Sequence, residues 1–260
     1  MAKSSRSEHH DALEQLQTLS DQAAHWIATN PKLVVGVIVA VLAMAGSYGG
    51  FAAWSASRED AASAALAEVR REYLDSLGQG LGSEVVELAN PEIRQRVRDD
   101  AIQRYLQVAA ERDGTAAGAV ARLEAGDLLA ESGDVEAAQG IWMQAIESGD
   151  ASKPLRGMLL ERVAAADERQ ERWRDAAQGY EKAGEIDSYP PRHLALASAA
   201  RCYLYAGQSA RAIELMERVE REAPEVSLPP HLSARIAELR AASDASRAAP
   251  EAAPPAEPMD

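Results

Sequence analysis

Cysteine is nearly missing from this chain. The one residue, Cys202, leaves no disulfide framework and no cysteine-based metal site. It lies inside an apolar helical stretch, where a free cysteine behaves as a small buried hydrophobe. Five histidines, His9, His10, His25, His193 and His231, show no metal-ligand spacing with acids. There is no glycine-rich phosphate loop, no HExxH and no GxSxG, and acid pairs such as Asp99 and Asp100 read as solvated helix charge. These absences point away from an enzyme and from any cofactor, metal or small-molecule substrate. Lysine is scarce, four against 23 arginines, which beside abundant alanine reflects a GC-rich bacterial genome and not chemistry. Positive charge is short overall: the formal charge is −14, and residues 55–260 carry −13 of it from 24 basic and 37 acidic side chains. A body this acidic repels phosphate backbones, which argues against nucleic acid as a partner.

One absence is local. Residues 33–54, LVVGVIVAVLAMAGSYGGFAAW, hold no charged side chain over 22 positions. At about 1.5 Å per residue, such a helix crosses a hydrocarbon core of roughly 30 Å. Trp26 precedes the run, Tyr48 lies one turn before Phe51, and Phe51 and Trp54 close it, rings that a spanning helix places at headgroup depth. A cleaved signal peptide would have a shorter apolar core and a shorter leader; a buried core helix is the other alternative. Gly36, Ala40, Ala43, Ser47 and Gly50 are spaced to share one stripe of small residues, the kind over which membrane helices approach closely. Lys3, Arg6 and Lys32 before the span balance Arg58, Arg70 and Arg71 after it, so charge does not set the orientation.

The expected organisation is an arm (1–32), a transmembrane helix (33–54), a long helix with a degenerate leading pair (55–113), helical repeats with a C-terminal capping helix (114–245) and an Ala/Pro/Glu tail (246–260). The arm carries a short helix ended by Pro31. After the span, Ala62, Leu66, Val69, Tyr73 and Leu77 keep helical spacing up to the GQGLGS break. Asn90-Pro91 starts a second helix with Ile93, Val97, Ala101, Tyr105 and Val108 on one face, and Asp113-Gly114 ends it. The tail has four prolines and no periodicity, and is expected to be disordered.

Between these ends a unit recurs at spacings of 38 and 36 residues. Gly126, Leu129, Gly133, Ala138, Trp142 and Ala145 correspond to Ala164, Asp167, Glu171, Ala176, Tyr180 and Ala183, and then to Ala200, Tyr203, Gly207, Ala212, Met216 and Val219. Each unit reads as two helices with a tight turn, and stacking of units supplies the core. The order small, large, turn glycine, Ala, aromatic, Ala resembles the tetratricopeptide signature over residues 119–226, although Glu171 replaces one turn glycine and Ser209 one aromatic. The fold class expected is all-α: a single transmembrane helix followed by a tetratricopeptide-like α-solenoid of helical hairpins.

The whole order, over about residues 20–242, resembles the membrane-anchored tetratricopeptide-like family of YfgM, an ancillary subunit of the bacterial Sec translocon. That resemblance implies a single-pass inner-membrane protein with a cytoplasmic N-terminus and a periplasmic body. It implies a protein–protein interaction module, chaperone-like toward secreted proteins or periplasmic chaperones. The alternative is a scaffold or regulatory subunit of another envelope or secretion complex. Groove-facing positions of the first helices are expected at Leu123 and Asp127, Glu161 and Ala165, and Ala197 and Arg201, with Glu131, Glu168, Arg169 and Tyr205 nearby. They form no Lys/Asn clamp for a carboxylate.

Overall fold

The computed structural model describes residues 29–78, 90–226 and 228–248. The arm helix, the GQGLGS break after Gly78 and the tail after Ala248 lie outside the described residues; residues 246–248 continue a helix. The described residues form nine helices and no strand. They are α1 (Pro31–Ser76), α2 (Pro91–Glu111), α3 (Ala116–Glu131), α4 (Val135–Glu147), α5 (Lys153–Arg169), α6 (Trp173–Gly184), α7 (Arg192–Tyr205), α8 (Ser209–Glu222) and α9 (Pro230–Ala248). The chain divides into two compact units, one ending at Ser57 and one beginning at Arg58.

In the first unit, α1 is the one described helix long and apolar enough to cross a membrane. Its apolar side chains are bare: Leu42, Met44 and Phe51 are about two-thirds exposed. Gly36, Ala40, Ala43, Ser47 and Gly50 are exposed as well. The Ser47 hydroxyl donates to the Ala43 carbonyl at 2.8 Å, so its polar atom is satisfied within the helix.

The second unit is a stack of helical hairpins, and side-chain caps mark where several of its helices start. Asn90 caps α2 by accepting from the Glu92 N–H at 2.9 Å, with Pro91 in the first turn. Thr115 caps α3 and Asp134 caps α4. The α3 N-terminus has a further acceptor: the Glu59 carboxylate, on α1, takes the Ala116 and Ala117 N–H groups at 2.9 and 3.0 Å. Arg58 donates to the Asp113 carbonyl at 2.9 Å, so two successive α1 side chains hold the α2–α3 turn.

The three inter-helix turns close in the same way. In each, a residue with positive φ follows the first helix: Gly133 (93°), Glu171 (57°) and Gly207 (74°). In each, the next N–H reaches back five residues, Asp134 to Leu129, Arg172 to Asp167 and Gln208 to Tyr203, at 3.0, 2.9 and 2.8 Å. This is the Schellman closure that a left-handed residue makes possible. Glu171 therefore performs the glycine's turn with a Cβ in place. Asp167, buried at the position held by Leu129 and Tyr203 in the other units, braces that turn. Its carboxylate accepts from Arg172 at 2.6 and 2.9 Å and from Gln139 at 2.7 Å.

Between the turns, Ala138, Ala176 and Ala212 are fully buried and let the second helices approach, while Trp142, Tyr180 and Met216 fill the space beside them. Trp142 lies against Gly126, where a Cβ would run into the indole, and its Nε1 donates to the Leu123 carbonyl at 3.3 Å. Leu232 and Ile236 of α9 close the far end on the cluster formed by Leu215, Met216 and Val219. The leading pair is buried through Ala62, Leu66 and Val69 against Ala101, Ile102 and Tyr105. Ile93, expected on that face, is exposed: the buried stripe of α1 ends at Val69, and burial in α2 begins at Ala101.

Candidate partner-binding groove

First helices α3, α5 and α7 carry all seven expected groove residues. Three of these converge. Asp127, Glu131 and Arg169 surround a hollow of about 230 Å³ between α3 and α5. Its apolar lining comes from Ala130, Val135, Ala165 and Trp142. Arg162 also lines it and was not among the expected residues. On α5 the lining positions 162, 165, 166 and 169 follow i, i+3, i+4, i+7, a helical stripe that was present in the sequence. Glu161 lies one position out of that phase and accepts the Tyr189 hydroxyl instead.

Two groove expectations are corrected. Leu123 and Ala197 are buried, because the seam between neighbouring helices takes those positions and leaves Asp127 and Arg201 toward the surface.

Charge in the hollow is nearly self-matched. The Asp127 carboxylate receives a forked pair of bonds from Arg162 at 2.9 and 3.3 Å. Glu131 lies 3.9 Å from Arg98 of α2. Arg169 is exposed and makes no ion pair with a carboxylate among the described residues. In the next unit, Glu168 accepts from Arg201 at 2.9 Å and from the Tyr180 hydroxyl at 3.0 Å. Hydrogen bonds from Arg201 hold the Glu168 carboxyl below the usual glutamate range against the opposing effect of burial. Cys202 stands beside this pair. Burial first, and then the Glu168 charge, push its thiol up to about 12, so it stays protonated at neutral pH. Tyr205 is displaced from this cluster and stacks on Trp173, ring centres 4.8 Å apart and tilted by 37°.

A pattern runs through these pairs. Arg162 reaches Asp127, Arg201 reaches Glu168, Arg211 reaches Glu181, and Arg240 reaches Glu217 and Glu220. In these four an arginine reaches back to an acid on an earlier helix, while Arg70 to Glu124, Arg98 to Glu131 and Arg192 to Glu222 run forward. The acids that line the groove therefore serve first as ties between units. Exposed pairs of this kind are worth about 0–1 kcal/mol each; half-buried Glu168, with three donors including the distant Cys202 thiol, is the best placed.

No family model matches this chain, and no curated protein matches it. Among solved structures it is similar to a kinesin light chain-like protein of Podosopora anserina built of nearly identical TPR-like repeats, and to a single-substitution variant of that protein. Identity is 18% in both, 59% of this chain and 84% of the other are covered, and the TM-scores are 0.44 and 0.45.

Proposed function

We propose that this chain is a membrane-anchored protein–protein interaction module whose hollow between α3 and α5 receives a segment of a protein partner. The hollow carries the reading. Apolar side chains, Trp142 among them, make up part of its lining, and its acids already face cations, so a partner segment that covers them strands no bare carboxylate. Arg169 is the charged group left open to a partner.

The finer reading is that of an ancillary subunit of the bacterial Sec translocon, with its body in the periplasm and contacts to secreted proteins or periplasmic chaperones. The order of parts supports it: a short arm, one apolar helix, a long helical continuation and degenerate repeats. Within the bilayer, the stripe Gly36, Ala40, Ala43, Ser47 and Gly50 is proposed to meet a partner helix. Alkaline carbonate washing should leave the chain in the membrane pellet, and a periplasm-active reporter fused after residue 245 should be active. Release by carbonate removes the anchor. Activity confined to a cytoplasmic reporter removes the translocon reading. Ala43→Leu with Gly50→Leu should keep insertion, because leucine is favourable at membrane depth, while lowering recovery of partners in mild detergent. Unchanged recovery would leave the helix as a tether alone.

A further inference from the structure

Helix α5 borders a second hollow on its other side. Lys153, Arg156 and Leu160 follow i, i+3, i+7 along its N-terminal half and line a space of about 480 Å³. At about 100° per residue, that stripe and the stripe of Arg162, Ala165, Ala166 and Arg169 point to roughly opposite faces of the helix. The rest of the lining comes from Lys182 near the end of α6 and from the α6–α7 connection. That connection is anchored. Tyr189 is buried against Gly157, where a Cβ would run into the ring, and its N–H donates to the Ile186 carbonyl at 2.9 Å. Leu160 and Ile186, half-buried against Ala183 and Tyr189, give the hollow its apolar part. The surface is thus formed before anything binds.

Its charge runs against that of the molecule. Residues 55–260 carry −13 and contain two lysines, Lys153 and Lys182, and both line this one hollow together with Arg156. All three cations are exposed, and none makes an ion pair with a carboxylate among the described residues. Arg156 donates to the Ile146 carbonyl at 3.4 Å. Two acids share the lining: Asp187 is paired with Arg192, and Glu185 makes no ion pair among the described residues. Three open cations therefore stand against one open acid. The fold gains little from this. Lys182 suits the last turn of α6, but Lys153 is the first residue of α5, where a cation opposes the helix dipole.

We propose that this hollow docks a short acidic segment of a partner protein, with carboxylates on Lys153, Arg156 and Lys182 and an apolar side chain on Leu160 and Ile186. The surface is separate from the hollow between α3 and α5 and does not rest on that reading. Charge selects a short segment over a larger polyanion. A nucleic acid or an anionic bilayer extends past the hollow and meets the acidic remainder of the body. A few residues feel mainly the three cations, within a Debye length of about 8–10 Å.

The test uses the full-length chain in uncharged detergent micelles and fluorescein-labelled peptides read by anisotropy. The acidic probe is Asp-Glu-Leu-Glu-Asp, and Asn-Gln-Leu-Gln-Asn has the same shape without the charge. The acidic probe should bind with a Kd below about 1 mM, and the amide probe about tenfold more weakly. Lys153→Gln with Lys182→Gln should weaken the acidic probe about tenfold at unchanged Tm, because both side chains are exposed. Lys153→Arg with Lys182→Arg keeps the charge and should keep the binding. Arg169→Gln with Arg235→Gln removes the same charge from exposed positions elsewhere and should change the Kd by less than about twofold. No binding of the acidic probe at about 1 mM, equal binding of the two probes, loss of binding in the arginine variant, or equal loss in the two glutamine variants overturns the proposal. Displacement of the probe by phosphatidylglycerol added to the micelles, or by inorganic phosphate beyond the effect of chloride at equal ionic strength, overturns it too, by assigning the hollow to a lipid headgroup or a small anion.

Discussion

Gly126→Ala should destabilise the protein, although alanine is the better helix former. In an exposed helix interior the exchange gains about 1 kcal/mol. At Gly126 the new methyl runs into the Trp142 indole, with the ring carbons Cδ1 and Cε2 at 2.6 and 2.8 Å. Trp142 is 3% exposed and held by its bond to the Leu123 carbonyl, so the ring has nowhere to swing. Overpacking of this kind costs about 1–3 kcal/mol, and a clash with several ring atoms belongs near the top of that range. The net loss is then about 1–2 kcal/mol, which for a domain of this size lowers Tm by about 2–8 °C. Gly140 on α4 provides the matched control, because a Cβ there meets nothing within 4 Å. Gly140→Ala should raise Tm by about 2–4 °C. Thermal melts of the full-length chain in micelles, followed by circular dichroism, read both. Equal stabilisation by the two substitutions would refute the packing of Trp142 on Gly126 and the register of the first unit with it.

Trp142→Ala should cost on the order of 3–5 kcal/mol, read in the same melts, and an unchanged Tm would contradict its burial. Glu171→Gly should stabilise by about 1 kcal/mol, since φ is already 57° there and glycine removes the Cβ strain; a loss of stability would mean that the Glu171 side chain contributes more than its backbone costs. Acid should weaken the stack through Glu168 and Glu181. Bonds from Arg201 lower the first; in the second, burial pushes the value up, but bonds from Arg211 and Tyr203 outweigh it. Both carboxylates thus hold protons less tightly folded than unfolded. Their stabilisation is present above the ordinary value of 4.5 and is lost as pH falls through the lower folded values. Tm should drop below about pH 4.5, and Glu168→Gln should flatten that acid limb; an identical acid limb in the variant would contradict the pairing.

The repeat register was legible because its signals are local. Small residues mark close helix approach, and the turn position falls at a constant offset from them, as at Gly133 and Gly207. Glu171 reads as a lost glycine, yet the turn survives there because Asp167, Arg172 and Gln139 brace it, and those partners come from three different elements. The groove was harder. One residue along a helix rotates the side chain by about 100°, so placing the α5 face at Glu161 and not Arg162 exchanges a groove residue for one that turns to Tyr189. Leu123 and Ala197 are misplaced for the same reason, being seam positions next to surface ones. The pairing of Arg162 with Asp127 and of Tyr205 with Trp173 joins residues more than 30 apart in sequence, and no periodic signal reports which arginine meets which acid.

Partner binding in the hollow between α3 and α5 can be tested in intact membranes of the source cell. A photo-crosslinking amino acid is placed at Ala165, which lines the hollow. The same label at Gly140, exposed on α4, is the comparison. A partner seated in the hollow gives a discrete protein adduct from Ala165 that is absent from Gly140 and that weakens when Arg169→Glu is added. Adducts of equal yield from both positions, or none from Ala165 while the chain remains folded and membrane-bound, would contradict binding there.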